Sequence, residues 1–212
     1  MKNNFSIIIS NTTRSLQYII HLKKNNFVPK NIIYFDYGTK KINFKKKYFN
    51  GSKVKKFKTN YINSKVSKFI LSLKEKFIIY SGYPGIIEKN KKVLKTKKLI
   101  HSHSGKLPNF KGSTTIYYSI LKEKNIFCST IILNKNLDDG EILLQKKYPI
   151  PRNIFDIDSE YDDFIRAQNI IFLLKNFDKL KIKKKRKKTF PHYYVIHPIL
   201  RSIVFRKYEK NF

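Results

Sequence analysis

The stretch "FSIIISNTTRSLQYIIHLKKNNFVPKNIIYFD", Phe5–Asp36, decides the fold. Its first six residues, Phe5–Ser10, make a short apolar run of the kind buried inside a sheet. Leu16, Ile19, Ile20 and Leu22 then recur near helical spacing, and Thr12 or Thr13 offers a hydroxyl to cap the start. Asn31–Asp36 is a second apolar run. Strand, helix and strand at this length predict a βαβ unit, and therefore a parallel sheet. No Gly-x-Gly-x-x-Gly follows the first strand, so a dinucleotide fingerprint is absent.

Outward from this unit, Gly38–Asn60 is rich in lysine without clear periodicity and reads as a surface excursion. Ile62–Leu73 predicts a helix and Phe77–Tyr80 a strand, followed by the turn "SGYPG" (Ser81–Gly85). Lys98–His101 predicts another strand. Gly112–Glu123 reads as a helix opened by Ser113 or Thr114. Phe127–Leu133 and Glu141–Ile150 are β-rich runs around the turn "NKNLDDG". Ser159–Phe177 reads as a helix with Ser159 as candidate cap. The basic run Lys179–Lys188 reads as a solvated segment, with an anion-binding arm as the alternative.

At 212 residues with 41% apolar content, the chain suits one domain with a sizeable core. Its single cysteine excludes an internal disulfide, and no Cys/His zinc spacing exists, which fits a reducing, cytoplasmic setting. The N-terminal apolar run stops at Ile9, too short for a signal peptide, and no stretch approaches the roughly 18 apolar residues of a membrane span. The formal charge is +32, from 46 Lys+Arg against 14 Asp+Glu. An anionic partner is one explanation. The scatter of lysines along the chain, with abundant Asn, Ile, Phe and Tyr, favours the other, a composition written by AT-rich codons.

The candidate site is "IHSHSGKLPNFKG", Ile100–Gly112. His101 and His103 stand at a strand end, expected in the loop beyond it, where parallel sheets place their chemistry. A histidine there titrates near neutrality and can stabilise a developing oxyanion. Alone, the pair also reads as a chance placement of two half-exposed side chains, or as two metal ligands, although no third ligand with suitable spacing is evident. In so basic a chain each acid in a turn is informative, and Asp138 and Asp139 lie in "LDDGEI". Alone, that turn is an ordinary Asx turn.

Taken together these features resemble the folate-dependent formyltransferases, the superfamily of glycinamide ribonucleotide, methionyl-tRNA and sugar-nucleotide formyltransferases. Its hallmark is Asn-x-His-x-(Ser/Gly)-x-Leu-Pro, then an aromatic, a basic residue and Gly, and later an Asp-x-Gly turn. Here that reads His101-Ser102-His103-Ser104-Gly105-Lys106-Leu107-Pro108, Phe110-Lys111-Gly112 and Asp138-Asp139-Gly140. The likeness is good over Phe77–Ile150 and loose over Phe5–Asp36.

The resemblance implies an α/β, Rossmann-like three-layer domain with a mostly parallel twisted sheet and a short helical and basic C-terminal tail. It divides the chain into a catalytic domain over 1–150 and a helix and tail over 151–212 packed on the same domain. It implies formyl transfer from formyl-tetrahydrofolate to a primary amine. His103 matches the catalytic His and Asp138 the catalytic Asp. Gly82, Pro84, Gly85 and Ile86, with Asp138, would shape the folate pocket. His101 departs from the family's Asn, which donates a hydrogen bond to the formyl oxygen; the expectations are that His101 substitutes as donor, that the site is tuned to a different acceptor, or that it is impaired.

Only 62 residues follow Ile150, so the further domain of methionyl-tRNA formyltransferase is not expected. The purine-pathway relative carries the Asn. Both points favour a small amine such as an amino sugar joined to a nucleotide, and a phosphorylated acceptor would suit the cationic surface, an argument the compositional reading of the charge weakens. Hydrolysis of formyl-tetrahydrofolate, or non-catalytic binding of an anion or nucleic acid on the same scaffold, are the alternatives.

Overall fold

The computed structural model describes residues 4–38, 42–81, 91–179 and 190–209. Strand β1 (Phe5–Ser10) is buried along its whole length. Helix α1 (Thr13–Lys24) follows, capped by the Thr12 hydroxyl, which accepts from the Ser15 N–H at 3.2 Å. Strand β2 (Asn31–Phe35) returns parallel to β1, pairing Ile7 with Ile32 and Ile9 with Tyr34. This is the expected βαβ unit.

The sheet continues through β3 (Lys53–Phe57), helix α2 (Ser64–Ser72), β4 (Phe77–Tyr80), α3 (Lys91–Thr96) and β5 (Lys98–His103). A two-residue strand β6 (Lys111–Gly112), helix α4 (Thr115–Glu123), β7 (Ile126–Ile132) and β8 (Glu141–Tyr148) come next. A π-helical turn over Ile157–Tyr161 leads into α5 (Asp162–Asn176), and β9 (His192–Tyr193) and α6 (Pro198–Glu209) close the described chain. The seven-stranded sheet runs β3-β2-β1-β4-β5-β7-β8. It is parallel from β3 to β5 and antiparallel across β5–β7 and β7–β8. Alternation along β1 sends Ile7 and Ile9 to one face, against α1 and α5, and Ile8 to the other, against α2 and α3. The result is the three-layer α/β architecture. A third apolar cluster joins α4, α6 and the segment before α5. Among the described residues no helix is long and apolar enough to cross a membrane.

Four sequence expectations need correction. The surface excursion over Gly38–Asn60 contains β3, an edge strand whose lysines stay in water while its backbone pairs with β2. Neither face of "KVKKF" is apolar, so periodicity had nothing to show. The strand at Lys98 runs on to His103, putting both histidines inside it. The helix expected from Gly112 begins at Thr115, because Lys111–Gly112 pairs instead with β9. Ser159 is not a helix cap; its hydroxyl donates to the Asp156 carbonyl within the π-helical turn.

Candidate active site

His101 and His103 are two residues apart on β5, so they project to the same face of the sheet. Strand β7 supports them on one side, pairing His103 with Ser129, and β4 lies on the other. The chain then turns through Ser104–Phe110, with a cis Leu107–Pro108 bond, and folds back on the second histidine. Gly105 makes this possible: a Cβ there would stand 2.6 Å from His103 Nε2 and 2.8 Å from the Phe110 carbonyl oxygen. Ser129 Oγ donates to the Gly105 carbonyl at 2.6 Å, and Gln145 Nε2 to that of Leu107 at 2.8 Å, pinning the turn to β7 and β8.

His103 is 3% exposed. Its Nε2 lies 2.7 Å from the Phe110 carbonyl oxygen, and a carbonyl only accepts, so Nε2 carries the hydrogen and donates. The Thr115 hydroxyl is committed to the Ser104 carbonyl at 2.6 Å and supplies a lone pair to the same Nε2–H at 3.1 Å. Nδ1 faces Asp138 Oδ2 at 3.5 Å, too long for a hydrogen bond. Burial pushes the imidazole below its ordinary pKa of 6.5, with Arg166 adding to the effect and Asp138 opposing it. The resting ring is neutral, with its lone pair on Nδ1.

Asp138 sits in the β7–β8 turn with φ +47°, a left-handed conformation Asp tolerates. Burial alone would raise its pKa; the positive charge His103 carries once it takes a proton, and the N–H of Gly112, which donates to Oδ2 at 2.9 Å, hold it below the usual carboxylate range. Gly112 is positioned by the C-terminal strand. Its φ is +105°, and a Cβ would meet the Tyr193 carbonyl oxygen of β9 at 2.1 Å. Neighbouring Asp139 points elsewhere, to an ion pair with Lys111.

At His101, Nδ1 lies 3.0 Å from the Tyr80 carbonyl oxygen at the end of β4. By the same reasoning Nδ1 donates. Burial, reinforced by Arg166, depresses the ring pKa to about 3, so Nε2 holds a lone pair and not a hydrogen. This departs from the expected substitute donor: the ring's single N–H is already committed to Tyr80.

Beneath the strand end lies a residue that sequence reasoning missed. Arg166, on α5 and 9% exposed, donates from Nη1 to the Ser102 carbonyl and from Nη2 to Ser104 Oγ, both at 2.7 Å. Its Nε meets both oxygens of Asp162 at 3.0 Å. Arg14 from α1 bonds Asp163 at 2.9 Å and lies 3.6 Å from Asp162. Five of the chain's 14 acids fall within Asp156–Asp163, a density visible in the sequence.

These groups border one cavity of about 600 Å³. Its carboxylates are Asp138, Asp158, Glu160, Asp162 and Asp163; its cations are Arg14, Lys135 and Arg166. Leu133, Ile116 and Tyr117 contribute apolar wall. Gly82, Pro84, Gly85 and Ile86 lie outside the described residues, as does all of the basic run beyond Lys179.

Residues 3–172 match the family model described as formyl transferase. The chain belongs to the formyltransferase family. Among curated relatives it is 33% identical to methionyl-tRNA formyltransferase of Ehrlichia canis over 113 residues, which cover 52% of this chain and 37% of that protein. It is 28% identical to the Helicobacter pylori enzyme of the same name over 121 residues, 56% of this chain and 39% of that one. The chain thus spans well under half the length of these relatives. Its fold resembles that of a sugar N-formyltransferase from a Shewanella species, with TM-score 0.59, 17% identity and coverage of 95% of this chain and 86% of that one. It also resembles an N-formyltransferase from Helicobacter canadensis solved with folinic acid and dTDP-3-aminofucose, with TM-score 0.56, 16% identity and coverage of 91% and 71%.

Proposed function

We propose that this chain moves a formyl group from formyl-tetrahydrofolate to the primary amine of a small acceptor, an amino sugar joined to a nucleotide. The observation that carries the reading is the meeting of His103 with Asp138 on the wall of a cavity that also holds His101. Its volume, about 600 Å³, suits small-molecule substrates.

The residues present fit a formyl donor. Leu133, Ile116 and Tyr117 offer the apolar surface a flat ring needs, beside the polar trio. When bound, the folate supplies the electrophilic formyl carbon. The protein's part is proton handling and charge placement. Asp138 keeps a negative charge beside His103, and His103 Nδ1 is the base in reach of an attacking amine. Once protonated, Nδ1–H becomes a donor for negative charge developing on the formyl oxygen. Family membership supports the reaction class. The co-crystallised folinic acid and amino sugar nucleotide of the Helicobacter canadensis protein support the finer acceptor.

The test is to incubate the purified full chain with formyl-tetrahydrofolate and a panel of amines that includes dTDP-amino sugars, with mass spectrometry as readout. A formamide product that depends on both substrates is expected. Formate released at the same rate without amine would instead mark a hydrolase, and no consumption of donor would end the reading.

A further inference from the structure

We propose that the site takes its acceptor as the ammonium ion, R–NH3+, with His101 Nε2, His103 Nδ1 and the Asp138 carboxylate as its three hydrogen-bond acceptors. The proposal rests on the formyl-transfer reading and adds the protonation state of the substrate.

The argument is one of hydrogen-bond polarity. His101 spends its only N–H on the Tyr80 carbonyl, and His103 spends its own on the Phe110 carbonyl and the Thr115 hydroxyl. Asp138 has no hydrogen to give; one of its oxygens is engaged by the Gly112 N–H. Each of the three therefore offers the cavity a lone pair, and none offers a donor. Among the described residues no hydrogen bond reaches His101 Nε2 or His103 Nδ1. A free amine, with two N–H groups and a lone pair of its own, leaves one acceptor facing another lone pair. An ammonium has three N–H groups and answers all of them, as a lysine side chain does.

The surroundings keep this polarity. Arg166 from α5 faces both rings, Arg14 from α1 acts on His101, Asp138 from the β7–β8 turn opposes on both, and Asp162 acts on His103. The balance leaves both imidazoles neutral. Arg14 and Arg166 are engaged by Asp162 and Asp163, which leaves Lys135 as the cation of this cavity that could meet an anionic part of the acceptor. A cation finds Glu160 on the same wall, where Asp158 is already paired with Arg201.

The state also supplies what the next step needs. The N–H bond facing His103 breaks, its proton moves to Nδ1, and its electron pair stays on nitrogen as the nucleophile's lone pair. R–NH3+ and imidazole become R–NH2 and imidazolium, with no change in total charge. The imidazolium lies against Asp138 and now owns a donor.

Two measurements test this. The first is long-range 1H–15N correlation of the histidine rings in the full chain at neutral pH. Each ring is expected with one protonated nitrogen, Nδ1 in His101 and Nε2 in His103. Ethylammonium chloride should shift the two unprotonated nitrogens where ethanol at equal concentration does not, and Asp138→Asn should weaken the ammonium effect about tenfold. A doubly protonated ring, or the opposite tautomer at either residue, overturns the proposal. The second is kcat/KM for the acceptor found in the amine screen, followed above neutral pH. Ammonium binding predicts a decline beyond the acceptor's own pKa; binding of free amine predicts a rise of about tenfold per pH unit up to that pKa, and that rise would overturn the idea. If no amine is formylated, the functional reading fails, and the ring polarity is still judged by the first measurement.

Discussion

Two strands of one sheet hold polar residues for opposite reasons. β3, at the edge, carries Lys53, Lys55 and Lys56 into solvent, and only its backbone is specified, by pairing with β2. β5, in the interior, carries His101, Ser102 and His103, and each polar side chain has an assigned partner: Tyr80, Thr130, and Phe110 with Thr115. The first strand expresses the chain's composition and the second its chemistry. The net charge of +32 therefore says little about the site, whose wall holds five carboxylates in a chain with only 14.

The contrast is broken most severely at the interior strand. His103→Ala removes both the proton acceptor and the later donor, and formyl-transfer kcat should decrease about 10²–10⁴-fold in a single-turnover assay. Arg166→Met strips the guanidinium from the buried Ser102 carbonyl and Ser104 hydroxyl and leaves the half-buried Asp162 with Arg14 alone. Denaturant melts should show a loss of about 3–5 kcal/mol. At Gly112→Ala the new Cβ collides with the β9 backbone at a positive φ. The expected cost is about 1–3 kcal/mol, with a weaker hold on Asp138, read as a lower unfolding midpoint and a slower rate.

Acidification should act through the buried rings. The folded pKa of His101 and His103 lies below the ordinary 6.5, so the unfolded chain binds more protons in that window. Stability contributed by the neutral rings is complete above 6.5 and is lost as pH falls toward about 3, the folded value for His101. Asp138 and Asp162, with lowered values, add stability above the ordinary 3.8 and lose it below. A melting temperature that stayed flat from pH 7 to pH 5 would contradict the neutral-ring assignment. Smallest of all, Lys55→Gln on the edge strand should change stability by no more than about 0.5 kcal/mol and leave turnover untouched.

Much of the fold was legible because it is local. The Ile7–Ile8–Ile9 run, the Thr12 cap and the helical spacing from Leu16 need no distant partner to read. β3 was not legible because its lysines face water on both sides and its register comes from β2. The site divides in the same way. His103, Gly105 and the Asp138 turn were readable as a motif. The polarity of His101 was not, since the Tyr80 carbonyl that fixes it lies on another strand. Arg166 was hidden because its bonds to Ser102 and Ser104 cross from α5 to β5. The acid-dense "DIDSEYDD" before it was the available signal, and a search for clustered acids in a basic chain would have flagged it.

The central claim is that the polar end of β5, completed by Asp138, is a formyl-transfer centre while the lysine edge is solvated surface. The most direct measurement sets Asp138→Asn beside Lys55→Gln in one formyl-transfer assay with the full chain. The substitution at 138 preserves side-chain shape and keeps an oxygen to accept from Gly112, so it isolates the carboxylate charge. The account predicts at least a hundredfold loss of kcat/KM in Asp138→Asn, of order the effect of removing an acid–base group, and wild-type turnover in Lys55→Gln. Wild-type turnover in Asp138→Asn, or equal losses in both variants, would contradict it.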